Sequence, residues 1–240
     1  MIINKKFFIF VLLAILMQEI LISGFDLLNT NFPFLDGVPI TSSQALEYRY
    51  LLNWYLPIIS MSFYFSGYFS DFTRIHGIAF FVRTYCKSKW IIKQYLYMFI
   101  VLLFFTMFQI VICTFFELGT STISITNFIK SLSIYLLTLQ TLFSIQLLLE
   151  LYINPKISHL IMNIYIVASV LMSNQLYGSS KLLQYLFLPN YGMGFKNGLS
   201  QIPEFPEHTI DYFTGLPILL IMQILIMFLS IYKIKKMDLL

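Results

Sequence analysis

The chain has 240 residues, of which 58% are hydrophobic and 11% charged, with a formal net charge of +4. A soluble domain carries charge on about a quarter of its residues, so this composition, with a mean hydropathy of +0.79, excludes one and defines a polytopic membrane protein. The basic balance is not a nucleic-acid signal here, because in a membrane protein the placement of Lys and Arg reports topology.

Six apolar runs follow one another along the chain. Lys5 and Lys6 precede the first, residues 7–25. It is long for a signal peptide, and Gly24-Phe25-Asp26 is no small-x-small cleavage site, so it reads as a span. A polar loop with Pro33, Gly37 and Pro39 leads to the second run, 51–69, in which Pro57 predicts a kink tolerated by neighbouring helices. The third run, 95–116, is closed by Glu117 and Gly119. The fourth, 131–152, ends at the helix-breaking pair Asn154-Pro155. The fifth covers 160–176 and the sixth 216–232. Each is long enough to cross a hydrocarbon core of about 30 Å at 1.5 Å per residue. The predicted fold is all-α, one membrane domain over 1–240 with six transmembrane helices.

Six spans place both termini on one side, and the cations choose which. Lys5, Lys6, Arg74, Arg83, Lys87, Lys89, Lys93, Lys156, Lys233, Lys235 and Lys236 share one set of loops and ends. Only Arg49, Lys130, Lys181 and Lys196 fall in the other. The positive-inside rule then puts both termini in the cytoplasm and the polar loops 26–49 and 177–215 outside. Within the second outer loop, the apolar stretch 181–188 is too short to span and reads as an interfacial or re-entrant helix over the outer mouth. Gly194 and Gly198 have the spacing of a helix-dimer motif but sit in a polar loop, where a flexible turn is the better account.

Residues 71–93 stand apart from these runs. They hold Arg74, Arg83, Lys87, Lys89 and Lys93 against Asp71. Ile75, Ile78, Val82 and Tyr85 recur at helical spacing, while Arg83 and Lys87 lie four apart on another face. Such a cytoplasmic amphipathic helix either rests on anionic lipid headgroups or docks in a groove of a soluble partner. Topology needs only a few cations beside a short turn. The length of the stretch, and its end in Ser88-Lys89-Trp90 at the third span, favour docking.

Other chemistry is sparse. No phosphate-binding Gly-x-x-x-x-Gly-Lys-Ser/Thr loop, His-Glu-x-x-His or Gly-x-Ser-x-Gly motif occurs. His76, His159 and His208 are expected in three different loops, apart from one another. Cys86 and Cys113 are expected at opposite faces, too far apart to pair. Two acids touch apolar runs: Glu19 inside the first span, and Glu150 at the inner end of the fourth, near Lys156. An acid within a span is a functional candidate by its cost alone. Glu19, with Gln109, Gln140 and Gln146, marks a candidate substrate path, and interhelical hydrogen bonding is the competing account of the same residues.

This pattern resembles the membrane permease subunit of the type-2 class of ABC transporters, in a bacterial, low-GC form. The likeness covers the whole chain: six spans, both ends inside, a cytoplasmic helix between spans two and three, and a long outer loop before span six. The run from Arg83 to Gln94 resembles the family's basic, aromatic-tipped coupling helix, and the run from Tyr232 to Leu239 resembles its basic tail. The chain departs from the family in having only about six residues before its first span, where many members carry a longer amphipathic elbow helix. The resemblance implies a transport subunit that is not itself an enzyme. It implies a separate cytoplasmic ATPase that holds the ATP and Mg, a second permease copy or a related permease, and no cofactor on this chain. It assigns ATPase docking to Arg74, Arg83, Lys87, Lys89 and Trp90, with a peptide or lipid-like cargo and a role in antimicrobial-peptide export or immunity. The alternative is a non-transporting membrane protein that confers immunity to an antimicrobial peptide or partners a sensor.

Overall fold

The computed structural model describes residues 5–25, 32–40, 44–69, 87–116, 124–176, 181–200 and 210–236, and every element among them is helical. In chain order these are α1 (Lys5–Phe25), α2 (Pro33–Asp36), α3 (Gln44–Phe65), α4 (Lys87–Phe116), α5 (Ile125–Glu150), α6 (Pro155–Gln175), α7 (Lys181–Gln184), a 3-10 turn (Leu188–Gly192), α8 (Gly194–Asn197) and α9 (Tyr212–Lys236).

Four of them, α4, α5, α6 and α9, are long and apolar enough to cross a membrane. Helix α1 adds a shorter apolar stretch, Phe8–Ile22. Helix α3 has the length, but its first half carries Gln44, Glu47, Arg49 and Asn53, which dilute its hydropathy. It runs on through Pro57, whose carbonyl accepts the Ser60 hydroxyl at 2.6 Å.

Local chemistry sets several boundaries. Ser124 caps α5 by accepting from the Asn127 N–H at 3.3 Å. Asn154 caps α6 through the Lys156 N–H at 3.0 Å, and Pro155 occupies the first helical position, where its missing N–H costs nothing. The expected break at Asn154-Pro155 is therefore present, made by the end of α5 and the start of α6. Helix α4 is the largest departure from expectation. It is continuous from Lys87, so Lys87, Lys89, Trp90 and Lys93 belong to the membrane helix itself and not to a separate segment ending before a span at 95. No Gly or Pro lies between 87 and 95 to interrupt it.

Helix α5 is the axis of the bundle. It packs against α9, α4, α6, α3 and the 3-10 turn, and 61% of its apolar window is buried, against 22% for α9. Helix α1 packs on α3 and α4, and α3 also packs on α6. Outward faces are apolar: Leu96, Phe104 and Val111 on α4, and Ile221, Ile224 and Phe228 on α9. Inward faces carry Gln18, Glu19, Gln109, Gln140, Gln146 and Asn163, all buried. Polar inside and apolar outside is the arrangement a bilayer demands, since lipid satisfies no hydrogen bond.

Candidate functional site

The first candidate is the lysine-rich end of the bundle. Lys87, Lys89 and Lys93 on α4, Lys156 on α6 and Lys233, Lys235 and Lys236 on α9 all fall there. Lys233 stands 4.4 Å from the Tyr152 ring centroid, joining the ends of α9 and α5. Arg74 and Arg83 lie outside the described residues, as does most of the predicted amphipathic stretch. Both of its flanks are described, and both are fixed to the bundle.

On the flank from α3, Glu150 at the end of α5 accepts the Gly67 N–H at 2.9 Å and the Phe69 N–H at 3.4 Å. Gly67 has φ +80, which admits the sharp turn after α3. The Tyr68 hydroxyl donates to Gln94 of α4. The Phe69 ring packs on Trp90 at 5.5 Å and on Tyr95 at 6.0 Å between centroids. On the α4 flank, Lys89 and Lys93 are exposed and Lys87 is half-buried, whereas Trp90 is 2% exposed. Trp90 therefore anchors α4 to the chain leaving α3 and offers no surface for a partner. Glu150, expected at the interface beside Lys156, is buried and is spent on the backbone at 67–69.

Cys113 and Glu19 are in contact at 3.2 Å, which sets the relative height of α4 and α1. Lys87 lies about 39 Å back along α4 from Cys113, and Lys5 about 21 Å back along α1 from Glu19, at 1.5 Å per residue. The start of α4 thus overshoots the start of α1 by about 18 Å.

The second candidate is the set of buried polar side chains, which forms three storeys along α5. Tyr135, Gln140 and Gln146 mark them, about 7.5 and 9 Å apart. At the first, Tyr135 donates to Gln109 at 3.2 Å, Gln109 donates to Gln18 at 3.4 Å, and Cys113 donates to Glu19 at 3.2 Å. The other Glu19 oxygen has no hydrogen-bond partner among the described residues. At the second, Gln140 donates to the Tyr95 carbonyl at 3.3 Å, and the Tyr95 and Ser230 hydroxyls meet at 2.7 Å. At the third, Ser62 donates to Gln146 at 2.7 Å and lies 2.9 Å from His159 Nδ1. Asn163 donates to Ser62 at 2.9 Å, and Tyr55 donates to Asn163 at 2.6 Å.

Of the four residues named for a path, Glu19 and Gln109 thus share one cluster, while Gln140 and Gln146 each hold a different helix seam. His159 is not in a loop, as expected, but in α6, half-buried and facing Ser62. His76 and His208 lie outside the described residues. Nothing in the sequence around Ser62, Tyr95 or Tyr135 set them apart as partners, because their partners are distant in the chain.

The third candidate is the opposite end, where the loop after α6 folds inward. The stretch 181–188 is not one interfacial helix. Helix only covers Lys181–Gln184, and the 3-10 turn and α8 follow, with Tyr191, Met193, Phe195 and Lys196 all buried. The segment 194–198 is a helical turn closed by Gly198 at φ +73. Lys196, read as an outer-loop cation, is 0% exposed. Its ammonium donates to Asn174 Oδ1, and Asn174 donates to Glu47 at 2.7 Å and to the Pro39 carbonyl at 3.4 Å. Burial pulls the Lys196 ammonium down to about 7, with the Glu47 carboxylate opposing the shift.

A family model described as a protein of unknown function, DUF2705, matches residues 11–240. The uncharacterized protein YybK of Bacillus subtilis (strain 168) is 37% identical over 98% of this chain and 96% of its own length. No solved structure gives a significant match. With a family model covering nearly the whole sequence and a full-length relative at this identity, the chain belongs to the DUF2705 family.

Proposed function

We propose that the chain is the membrane-spanning permease subunit of a transporter powered by a separate cytoplasmic ATPase, of the type-2 ABC kind. In this reading α1 and α3 are two further spans beside α4, α5, α6 and α9. Both termini face the cytoplasm of a bacterial plasma membrane, and ATP and Mg sit on the partner. A peptide or lipid-like cargo follows from the resemblance alone.

One observation carries the reading. The basic stretch between α3 and α4 is held at both flanks, by Glu150 on the backbone at 67–69 and by Phe69 on Trp90 and Tyr95. A segment that only marked topology or touched lipid headgroups needs no buried carboxylate at its base. A handle pushed by a motor needs one, because force applied to it must reach the bundle. The overshoot of α4 supports the same reading, since it carries Lys87, Lys89 and Lys93 clear of the start of α1.

Photo-crosslinking side chains placed singly at positions 74–86 of the full chain in its own host test the proposal. Capture of a nucleotide-binding protein is expected. Labelling of lipid alone would overturn it.

A further inference from the structure

Helix α5 is the axis of the bundle, yet one of its faces is left half-open near the lysine-rich end. Its hydrogen bonds fix where the neighbours stand. Gln146 meets Ser62 of α3 and, through its carbonyl, the Ser158 hydroxyl of α6 at 2.7 Å, while Ser144 accepts from Gln223 of α9 at 2.9 Å. Residues 144 and 146 point about 200° apart around the helix. The sector between them on one side holds Phe143, Leu147, Glu150 and Leu151, all buried. The sector on the other side holds Ile145, Leu148 and Leu149, which are half-buried, and Tyr152, which is exposed. An apolar furrow therefore runs along the last two turns of α5, with α9 on one side and α6 on the other. On the α6 wall, Ile157 and Ile161 are exposed, on the side away from His159, which faces α3.

Two cations stand at the mouth of the furrow. Lys233 of α9 lies 4.4 Å from the Tyr152 ring centroid. Lys156, four residues beyond Tyr152, is exposed on the first turn of α6. Among the described residues the one carboxylate at this end is Glu150, which lies in the buried sector and is spent on the backbone at 67–69.

We propose that this furrow binds an anionic phospholipid, with an acyl chain along Ile145, Leu149 and the Tyr152 ring and the phosphate between Lys156 and Lys233. A half-open apolar face on a membrane helix is covered by hydrocarbon. The cations at its mouth match a headgroup that carries net negative charge, and a zwitterionic headgroup would bring its own cation against them. Seating Lys233 on a ring holds its ammonium in place and leaves N–H donors for the phosphate. An acidic polypeptide would satisfy the lysines but has no use for the apolar floor. The inference needs α5, α6 and α9 to cross the membrane and is independent of any ATPase.

Native mass spectrometry of the full chain in detergent tests this, with graded additions of phosphatidylglycerol or of phosphatidylcholine with the same acyl chains. Wild type should retain phosphatidylglycerol in preference. Lys156→Gln with Lys233→Gln should weaken that retention about 30-fold. Lys89→Gln with Lys235→Gln removes the same charge from exposed positions away from the furrow and should cost less than about threefold. Leu149→Gln, in the floor, should weaken retention about tenfold. Equal losses in the two lysine pairs would overturn the proposal, because the lipid would then answer to a diffuse basic surface. Phosphatidylcholine held as tightly as phosphatidylglycerol, or a floor variant that binds like wild type, would overturn it too. If Leu149→Gln fails to insert, the two lysine pairs decide.

Discussion

At the scale of single residues, two side chains hold positions that their types alone would not foretell. Glu150 gives both carboxylate oxygens to backbone N–H groups at the turn after α3. Charge-assisted bonds of this kind are worth about 1.5–3 kcal/mol each. Glu150→Gln keeps one acceptor oxygen and loses the charge. Amide exchange at Gly67 and Phe69 should then rise about tenfold, equivalent to about 1.4 kcal/mol; unchanged exchange would remove Glu150 from the account. Gly37 is the second case. Its positive φ and the Met193 side chain leave no place for a methyl group. Gly37→Ala should lower stability by about 1–3 kcal/mol, read as a lower thermal midpoint in detergent. Adding Met193→Ala should not restore stability, because the Met193 Cβ that alanine keeps would itself lie 2.6 Å from the new methyl group. Neither position announced itself in the sequence. Glu150 stood out as an acid beside an apolar run, but its partners are backbone groups about eighty residues earlier in the chain. Lys196 reads in the sequence as a solvated loop cation because Asn174 and Glu47, which meet it, come from α6 and α3, distant in the chain.

At the scale of elements, α5 organises the bundle, and its polar side chains assign each neighbour a height. The seam between α3 and α6 rests on Tyr55, Ser62 and Asn163. Interhelical hydrogen bonds in membranes average about 0.6 kcal/mol and reach about 1.7. Asn163→Leu removes two of them at once and should destabilise the full chain by about 1–2 kcal/mol, measured by unfolding in mixed micelles. No loss of stability would mean that the seam is held by apolar packing alone. The apolar runs and the Asn154-Pro155 break were legible because both are local: one needs only hydropathy, the other only a proline and a cap. The start of α4 differs from expectation because the cations before residue 95 read as the end of a separate cytoplasmic amphipathic helix, whereas no Gly or Pro between 87 and 95 divides them from the apolar run. The inward-folded segment 188–198 was illegible for the reverse reason. Its short turns have no periodicity, and its burial is imposed by α2, α5, α6 and α9.

At the scale of the whole molecule, the arrangement has two distinct ends joined by α5. The lysine-rich end presents α4 beyond the start of α1 and fixes the basic stretch at both flanks. The far end is closed by the segment 188–198, whose 3-10 turn packs on α5. Membership in DUF2705 and the relationship to YybK extend this architecture to the family without assigning it a task. The task proposed here depends on a motor outside the chain. The most direct measurement is therefore purification of the tagged full chain from its host in mild detergent, with mass spectrometry and an assay of ATP hydrolysis on the same material. The account predicts that an ATPase and its activity accompany the wild-type chain. It predicts that both are lost in the double variant Arg83→Glu with Lys87→Glu, while reporters at the two termini show the orientation unchanged. A wild-type chain free of any ATPase, or a double variant that retains one, would contradict it.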